Sequence, residues 1–407
     1  MMSIVCWGLL TTSVVPCRAL SSADSFQHVL LQQGNQLYPD CQVTLLPSAR
    51  EKYADMFRTI REARHYVHLE YFIFHLDSIG GQLLDLLTTK VQEGVEVRLL
   101  IDAYGNYKSD RPITESELYG IRQRGIRVDM FDPLHFPWIG NVLHRDHRKI
   151  VVVDGLYAYT GGMNVADYYL HGTKKTGPWR DMQVRLQGSV VNGFEGIFER
   201  IWWRTTGEIL DTLAYRAQHP SVPDGCSVVI VNREPGAASR QIRRAYVAAL
   251  ESAREEVCII NPYPTNTHSV RRAMKQALRR GVSVRIMVSA SSDNRIVPEV
   301  IAIQMKKFMK HGAEIYYFEG GFHHSKLLML DGEVCSVGTA NLDGRSLRYD
   351  YEVNAFIFSP EVTRQLHDIF DADVKCSERL TPETFKRRFS LRQRIVGRLF
   401  QPIKGLL

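Results

Sequence analysis

A chain of 407 residues, 44% hydrophobic and 23% charged, carries enough apolar surface for a sizeable core and about two domains, and is neither disordered nor fibrous in composition. Its formal charge of +7 points to an anionic partner: nucleic acid, a phosphate ester or an acidic membrane surface. The seven cysteines are scattered, with no C-x-x-C pair or zinc spacing, which excludes a disulfide scaffold and reads as free thiols in a reducing setting.

Met1 to Cys17 holds no charged side chain, but Ser3, Thr11, Thr12, Ser13 and Pro16 interrupt it, and it is shorter than the roughly 20 residues that span a bilayer. It lacks the positive start of a signal peptide, although Ala19 to Ala23 has the composition of a cleavage region. The expectation is a leader over residues 1–34, disordered or membrane-associated.

A first domain is expected over residues 35–215. Ser48 to Arg64 has helical character, and Tyr66 to Phe74 is rich in strand formers. Leu83 to Gln92 reads as an amphipathic helix stopped by Gly94, and Val95 to Ile101 as a strand ending at Asp102. Alternating strand and helix argue for an α/β layer with a parallel or mixed sheet. Asp132 to Gly140 is a loop by its prolines, yet carries Phe136, Trp138 and Ile139. It is either core packing or a loop that touches acyl chains at the mouth of a site.

His147 then opens the pattern HxKxxxxD: His147, Lys149, the apolar run Ile150 to Val153, and Asp154 followed by Gly155. The run suits a short buried strand closed by a turn. Side chains two apart share a strand face, so His147 and Lys149 point the same way. Gly161, Gly162 and Asn164 follow, then Trp179, Arg180 and Asp181.

The whole order recurs, which places a second domain at 216–380 with the seam near Asp211 to Gly225. Ala253, Arg254 and Val257 repeat Ala63, Arg64 and Val67, and Gly281 to Arg285 repeats Gly94 to Arg98. His324, Lys326, Asp331 and Gly332 repeat the motif, and Asn341 follows His324 at the spacing by which Asn164 follows His147. Glu352 comes after the second Asn as Asp181 comes after the first. Residues 381–407 form a basic tail in which Ile395, Leu399 and Ile403 make an apolar helical stripe opposite a cationic face. Packing on its own domain would explain the stripe; the excess of positive charge favours an anionic membrane surface.

Two imidazoles and two ammonium groups suit a phosphodiester, which is anionic and repels nucleophiles. Lys149 and Lys326 offset that charge, with Asn164 and Asn341 as further donors. One His attacks phosphorus while the other protonates the departing alkoxide and later deprotonates the incoming hydroxyl. No metal or cofactor is expected: the pairs His144/His147 and His323/His324 lack the spaced carboxylate of a helical H-E-x-x-H site.

The two motifs with their trailing Gly and Asn resemble the phospholipase D superfamily. Gly338 to Leu347 with Tyr351 to Asn354, Glu70 to Ile73, and Trp179 to Asp181 are similar to its bacterial cardiolipin synthase branch, over about residues 35 to 407. The resemblance implies two α/β sandwich domains related by a pseudo-two-fold, with one active site at their interface. It implies a catalytic set of His147, Lys149, Asp154, His324, Lys326 and Asp331, in which Asp154 and Asp331 support backbone rather than touch substrate. It also implies that Asp181 and Glu352 hold the histidines in the right tautomer, and that His147 is the nucleophile, a role the duplication leaves interchangeable with that of His324.

The implied reaction is phosphatidyl transfer between two phosphatidylglycerol molecules, giving cardiolipin and glycerol through a phosphohistidine. Hydrolysis to phosphatidic acid would use the same residues. A nuclease is disfavoured, since it is typically a single-motif dimer, so no nucleic acid is expected as a partner. The expected partners are an anionic phospholipid and a membrane surface, with the protein peripheral to or weakly anchored at a bacterial inner membrane. Many members carry two membrane-spanning helices at the amino terminus and this sequence does not, which leaves the tail and the Trp138 loop as contacts.

Overall fold

The apolar runs and amphipathic helices read above alternate along a single mixed sheet in the computed structural model. It describes residues 20–133, 142–211, 214–217, 219, 224–236, 238–294 and 296–402. The loop around Trp138 and the apolar stretch Met1 to Cys17 lie outside the described residues.

After α1 (Ser22–Gln32), the first half runs β1 (Leu37–Leu46), α2 (Ala49–Glu62), β2 (Tyr66–Tyr71), α3 (Ser78–Gln92), β3 (Glu96–Asp102), α4 (Ala103–Lys108), α5 (Glu115–Gln123), β4 (Arg127–Phe131), β5 (Lys149–Val153), β6 (Tyr157–Gly161), α6 (Tyr168–His171), β7 (Trp179–Arg180), β8 (Gln183–Gln187) and α7 (Val190–Thr206). The second half runs β9 (Cys226–Arg233), α8 (Gln241–Ser252), β10 (Glu256–Ile260), α9 (His268–Arg279), β11 (Ser283–Ser289), α10 (Val297–Met309), β12 (Glu314–Phe318), β13 (Phe322–His323), β14 (Leu327–Leu330), β15 (Val334–Gly338), β16 (Glu352–Phe358), α11 (Pro360–Val374), β17 (Ser377–Arg379), α12 (Pro382–Arg388) and α13 (Leu391–Leu399).

The sheet order is β17-β12-β11-β10-β14-β15-β16-β9-β1-β8-β6-β5-β2-β3-β4. Read outward from the antiparallel β9–β1 pair, both directions give the same sequence of elements apart from the added edge strand β17, the pattern of an internal pseudo-two-fold. In each half three strands run parallel and the motif strand is antiparallel to the first of them.

Helices cover both faces, so the motif strands carry continuous apolar runs, Ile150 to Val153 and Leu327 to Leu330, rather than alternating with polar residues. Along β5, Val151 and Val153 join one core while Ile150 and Val152 join another. Along β14, Leu328 and Leu330 face the α8–α9–α10 layer while Leu327 and Met329 face the α7–α11 layer. Each such side chain contributes about 1.5–3 kcal/mol of burial, and together they hold the ends of β5 and β14 rigid.

The motif aspartates close these strands. Asp154 and Gly155, and likewise Asp331 and Gly332, have positive φ, as an Asp-Gly turn with two left-handed residues requires. The Asp154 carboxylate accepts from the backbone N–H groups of Arg64, His65 and Tyr66 (2.7–2.8 Å), and Asp331 from those of Arg254, Glu255 and Glu256 (2.7–3.0 Å).

Two ends of the chain depart from expectation. Part of the segment read as a leader is folded: a Ser21/Asp24 capping box starts α1, and Phe26 and Leu30 are fully buried in the second half's core, with Phe26 edge-on to Phe356 at 5.3 Å. The hydrophobic face of α1 was too short to stand out beside the apolar residues before it. The basic tail is not one free helix either. Phe385 and Phe389 enter the same core, Phe389 lies 5.7 Å from Tyr317, and α13 crosses α10 so closely that a Cβ on Gly397 would meet the Glu299 carbonyl oxygen. Leu391, Ile395 and Leu399 remain exposed, and Ile403 lies outside the described residues. No described helix is long and apolar enough to cross a membrane.

Candidate active site

The site forms where the backbone just before each motif pairs with the other half. His147 N–H donates to the Tyr351 carbonyl (3.0 Å) and Tyr351 N–H to the Arg145 carbonyl (2.8 Å), with Asp146 opposite Tyr351 in a parallel bridge. In the other half β13 pairs with β7, parallel, placing Phe322 opposite Trp179 and His323 opposite Arg180, and His324 N–H donates to the Arg180 carbonyl (2.7 Å). One step further along each register sets His147 beside Glu352 and His324 beside Asp181. The side chains meet there: His147 Nδ1 lies 2.9 Å from Glu352 Oε1, and His324 Nδ1 lies 2.8 Å from Asp181 Oδ2. Each histidine is thus oriented by a carboxylate from the other half.

A carboxylate only accepts, so each Nδ1 carries the proton and each Nε2 is left for chemistry. Lys149 Nζ donates to the His147 carbonyl at 2.5 Å; Lys326 Nζ donates to the His324 carbonyl and lies 3.0 Å from its ring. Both ammonium groups are buried, and desolvation lowers Lys149 to about 7 and Lys326 to about 8, with Glu352 and Asp181 the leading charges opposing the fall. His147 is held well below its ordinary value by burial and then by Lys149, Lys326 and His324. His324 is also lowered by burial and Lys326, with Asp181 acting against them.

The two carboxylates differ. Burial raises Glu352 to about 7 against the pull of Lys149. Asp181 is lowered despite its burial, by Lys326, His324 and the Met182 N–H. Glu352 also accepts from the Thr339 hydroxyl.

His147 opens on a cavity of about 280 Å³ with Phe72, Tyr104, Tyr263, Asn341, Asp343 and Arg345 in its wall. Phe72 meets His147 edge-on at 5.0 Å, and Trp179 lies 5.3 Å from His324. Arg345 is a third cation at the cavity, fixed by Asp350 at 3.0 Å. Asn341 is 7% exposed and its Oδ1 has no partner among the described residues, as suits a group waiting for ligand.

Seven of the ten expected residues are therefore brought around one centre, and three lie elsewhere. His147, Lys149, His324, Lys326, Asp181, Glu352 and Asn341 converge. Asn164 does not join them as a donor to substrate: its Oδ1 accepts from Ile73 N–H (3.1 Å) and its Nδ2 donates to Tyr169 (3.0 Å), so its side chain is consumed in packing. Asp154 and Asp331 sit past the far ends of β5 and β14, seven positions on from the histidines and roughly 20 Å away along extended chain, with their carboxylates taken up by backbone N–H groups. Phe72, Tyr263 and Asp343 were not singled out from the sequence for the site. Aligning the repeats at Val67 and Val257 pairs Phe72 with Pro262 rather than with Tyr263, so the duplication carried no signal for either aromatic.

The glycine before Asn164 has a physical reason. A Cβ on Gly162 would stand 2.1 Å from Asp181 Oδ1. Gly162→Ala should push the carboxylate off His324 and lower turnover by about 100-fold; wild-type turnover would show that Asp181 need not sit where it does.

A family profile described as "Cardiolipin synthase, PLD-like domain" matches residues 56–202 and 246–374. The chain is 36% identical over 366 residues to cardiolipin synthase 2 of Staphylococcus epidermidis, covering 89% of this chain and 74% of that one. It is 33% identical over 381 residues to a cardiolipin synthase of Listeria monocytogenes, covering 92% and 78%. Among solved structures, phosphatidylserine synthase of Haemophilus influenzae superposes with a TM-score of 0.71 at 16% identity, covering 93% of this chain and 98% of that one, a likeness of fold.

Proposed function

The chain belongs to the cardiolipin synthase family of phospholipase D-like proteins, and from that premise we propose that it transfers a phosphatidyl group from one phosphatidylglycerol to another at a membrane surface. The observation that carries this reading is the pair of crossed His–carboxylate couples beside two buried lysines at one cavity.

His147 Nε2 attacks phosphorus, forming the P–N bond as the P–O bond to glycerol breaks. His324 gives its Nε2 proton to the departing glycerol oxygen. A hydroxyl of the second phosphatidylglycerol then loses its proton to His324 and attacks phosphorus, and the P–N electrons return to His147. Two phosphatidylglycerols become cardiolipin and glycerol. Lys149, Lys326 and the side-chain amide N–H group of Asn341 hold the non-bridging oxygens, and the Asn341 Oδ1 can accept only from a substrate hydroxyl.

The assignment of roles follows the electrostatics rather than position in the motif. Burial lowers both imidazoles, but ionised Asp181 opposes the fall at His324, which makes it the better acid; at His147 burial and then Lys149 leave the ring unprotonated, and Glu352, drawn toward neutrality, opposes them less. The acidic limb of the kcat/KM profile should then lie below the pH at which free imidazole titrates. The alkaline limb should begin as His324 loses the proton it gives to glycerol, near or below the ordinary imidazole range, and steepen between pH 7 and 8, as Lys149 and Lys326 lose the protons that bind the phosphodiester. A profile flat to about pH 9 would remove the lysines from substrate binding.

The test of function is incubation of the full chain with labelled phosphatidylglycerol vesicles and separation of the products. Cardiolipin with free glycerol supports the transferase; phosphatidic acid alone would make it a hydrolase and overturn the proposal.

A further inference from the structure

Helix α9 buries Val270, Ala273, Met274 and Ala277 on one stripe and turns its charges outward. Between α9 and α10 runs a groove of about 590 Å³ lined by Arg271, Arg272, Lys275, Arg279 and Lys307 and by no carboxylate. None of these five cations has an ion-pair partner among the described residues, while much of the surface elsewhere is laced with pairs such as Arg388–Glu319 and Arg379–Glu314. Desolvation and, after it, the charges of Arg271 and Lys275 hold Lys307 below its ordinary value. Five like charges kept together without a counter-ion destabilise the folded chain unless an outside anion neutralises them.

The other side of α10 shows which anion. There α13 leaves Leu391, Ile395 and Leu399 exposed at 64%, 46% and 70%, a ridge of successive i, i+4 positions beside Arg392 and Arg398. A soluble polyanion has no use for such a ridge, whereas the headgroup layer of a bilayer takes both the cations and the apolar side chains. Helix α10, between the two features, begins at Val297, which lines the catalytic cavity.

We propose that the α9–α10–α13 face docks the protein on an anionic bilayer, with lipid phosphates in the α9–α10 groove and the α13 ridge in the interfacial layer. The inference rests on the reading of the substrate as a membrane lipid. The second half thereby brings the mouth of the cavity to the layer that holds the substrate.

The test measures partitioning of the full chain onto phosphatidylglycerol vesicles and onto neutral phosphatidylcholine vesicles, together with turnover of detergent-dispersed phosphatidylglycerol. Arg272→Glu with Lys275→Glu, and separately Ile395→Ser with Leu399→Ser, should each weaken partitioning onto the anionic vesicles by tenfold or more. Wild-type partitioning should fall with salt and be weak on the neutral vesicles. Turnover in detergent should stay within twofold of wild type for both variants. Partitioning within twofold of wild type for either variant would overturn the docking face, as would an equal loss of turnover in detergent. His147→Ala should bind vesicles normally. If the wild type docks through the groove but yields neither cardiolipin nor phosphatidic acid, the docking face stands and the catalytic reading falls.

Discussion

His147→Ala is expected to lose at least about 1,000-fold in kcat and to leave no covalent intermediate, because His324, the other imidazole at the site, is engaged as the proton donor. His324→Ala should lose a similar factor with phosphatidylglycerol, since the glycerol alkoxide departs poorly without a proton. The variants part company on a phosphatidyl ester whose leaving group needs no proton, such as p-nitrophenol. There His324→Ala should still release a first turnover of p-nitrophenol, with the phosphatidyl group bound to the protein. His147→Ala should release none. A burst from His147→Ala and none from His324→Ala would reverse the two roles. A burst from both would remove the phosphohistidine.

The same substrate reads out the crossing of the carboxylates. Asp181→Asn is expected to behave as His324→Ala does: a loss of about 1,000-fold with phosphatidylglycerol and little loss of the p-nitrophenol burst, because the amide no longer holds the proton-donating ring. Glu352→Gln should follow His147→Ala and slow both substrates, because it frees the attacking ring to turn away. Each half's carboxylate should therefore share the kinetic signature of the other half's histidine. If Asp181→Asn instead slowed the burst and Glu352→Gln spared it, each half would be serving its own histidine and the observed geometry would not be the working one.

Much of the site could be read from residue types because its chemistry is local. Two side chains two apart on a buried strand share a face whatever the rest of the fold does, so His147 with Lys149 and His324 with Lys326 follow from spacing. The Asp-Gly turns are local too: Asp154 and Asp331 answer three backbone donors each, which explains their fixed place in the motif without any part in catalysis. Asn164 misled because identical spacing does not mean identical surroundings. It meets Ile73 and Tyr169, while Asn341 meets the open cavity. The helix α1 and the split tail were hidden for a similar reason: their apolar faces are short, and only a partner core shows which side is buried.

By itself the sequence determined the duplicated α/β plan, the paired imidazoles and ammonium groups, and the two strands that carry them, since these depend on periodicity and spacing within one short segment. The tertiary structure alone decided which carboxylate serves which histidine, through parallel registers joining residues 205 and 143 positions apart in the chain. It also decided that five cations across α9 and α10 would face one another with no acid between them. Hydrogen bonds and charge repulsion act over a few ångströms of space, and no pattern along a chain records which distant residues will come within that reach.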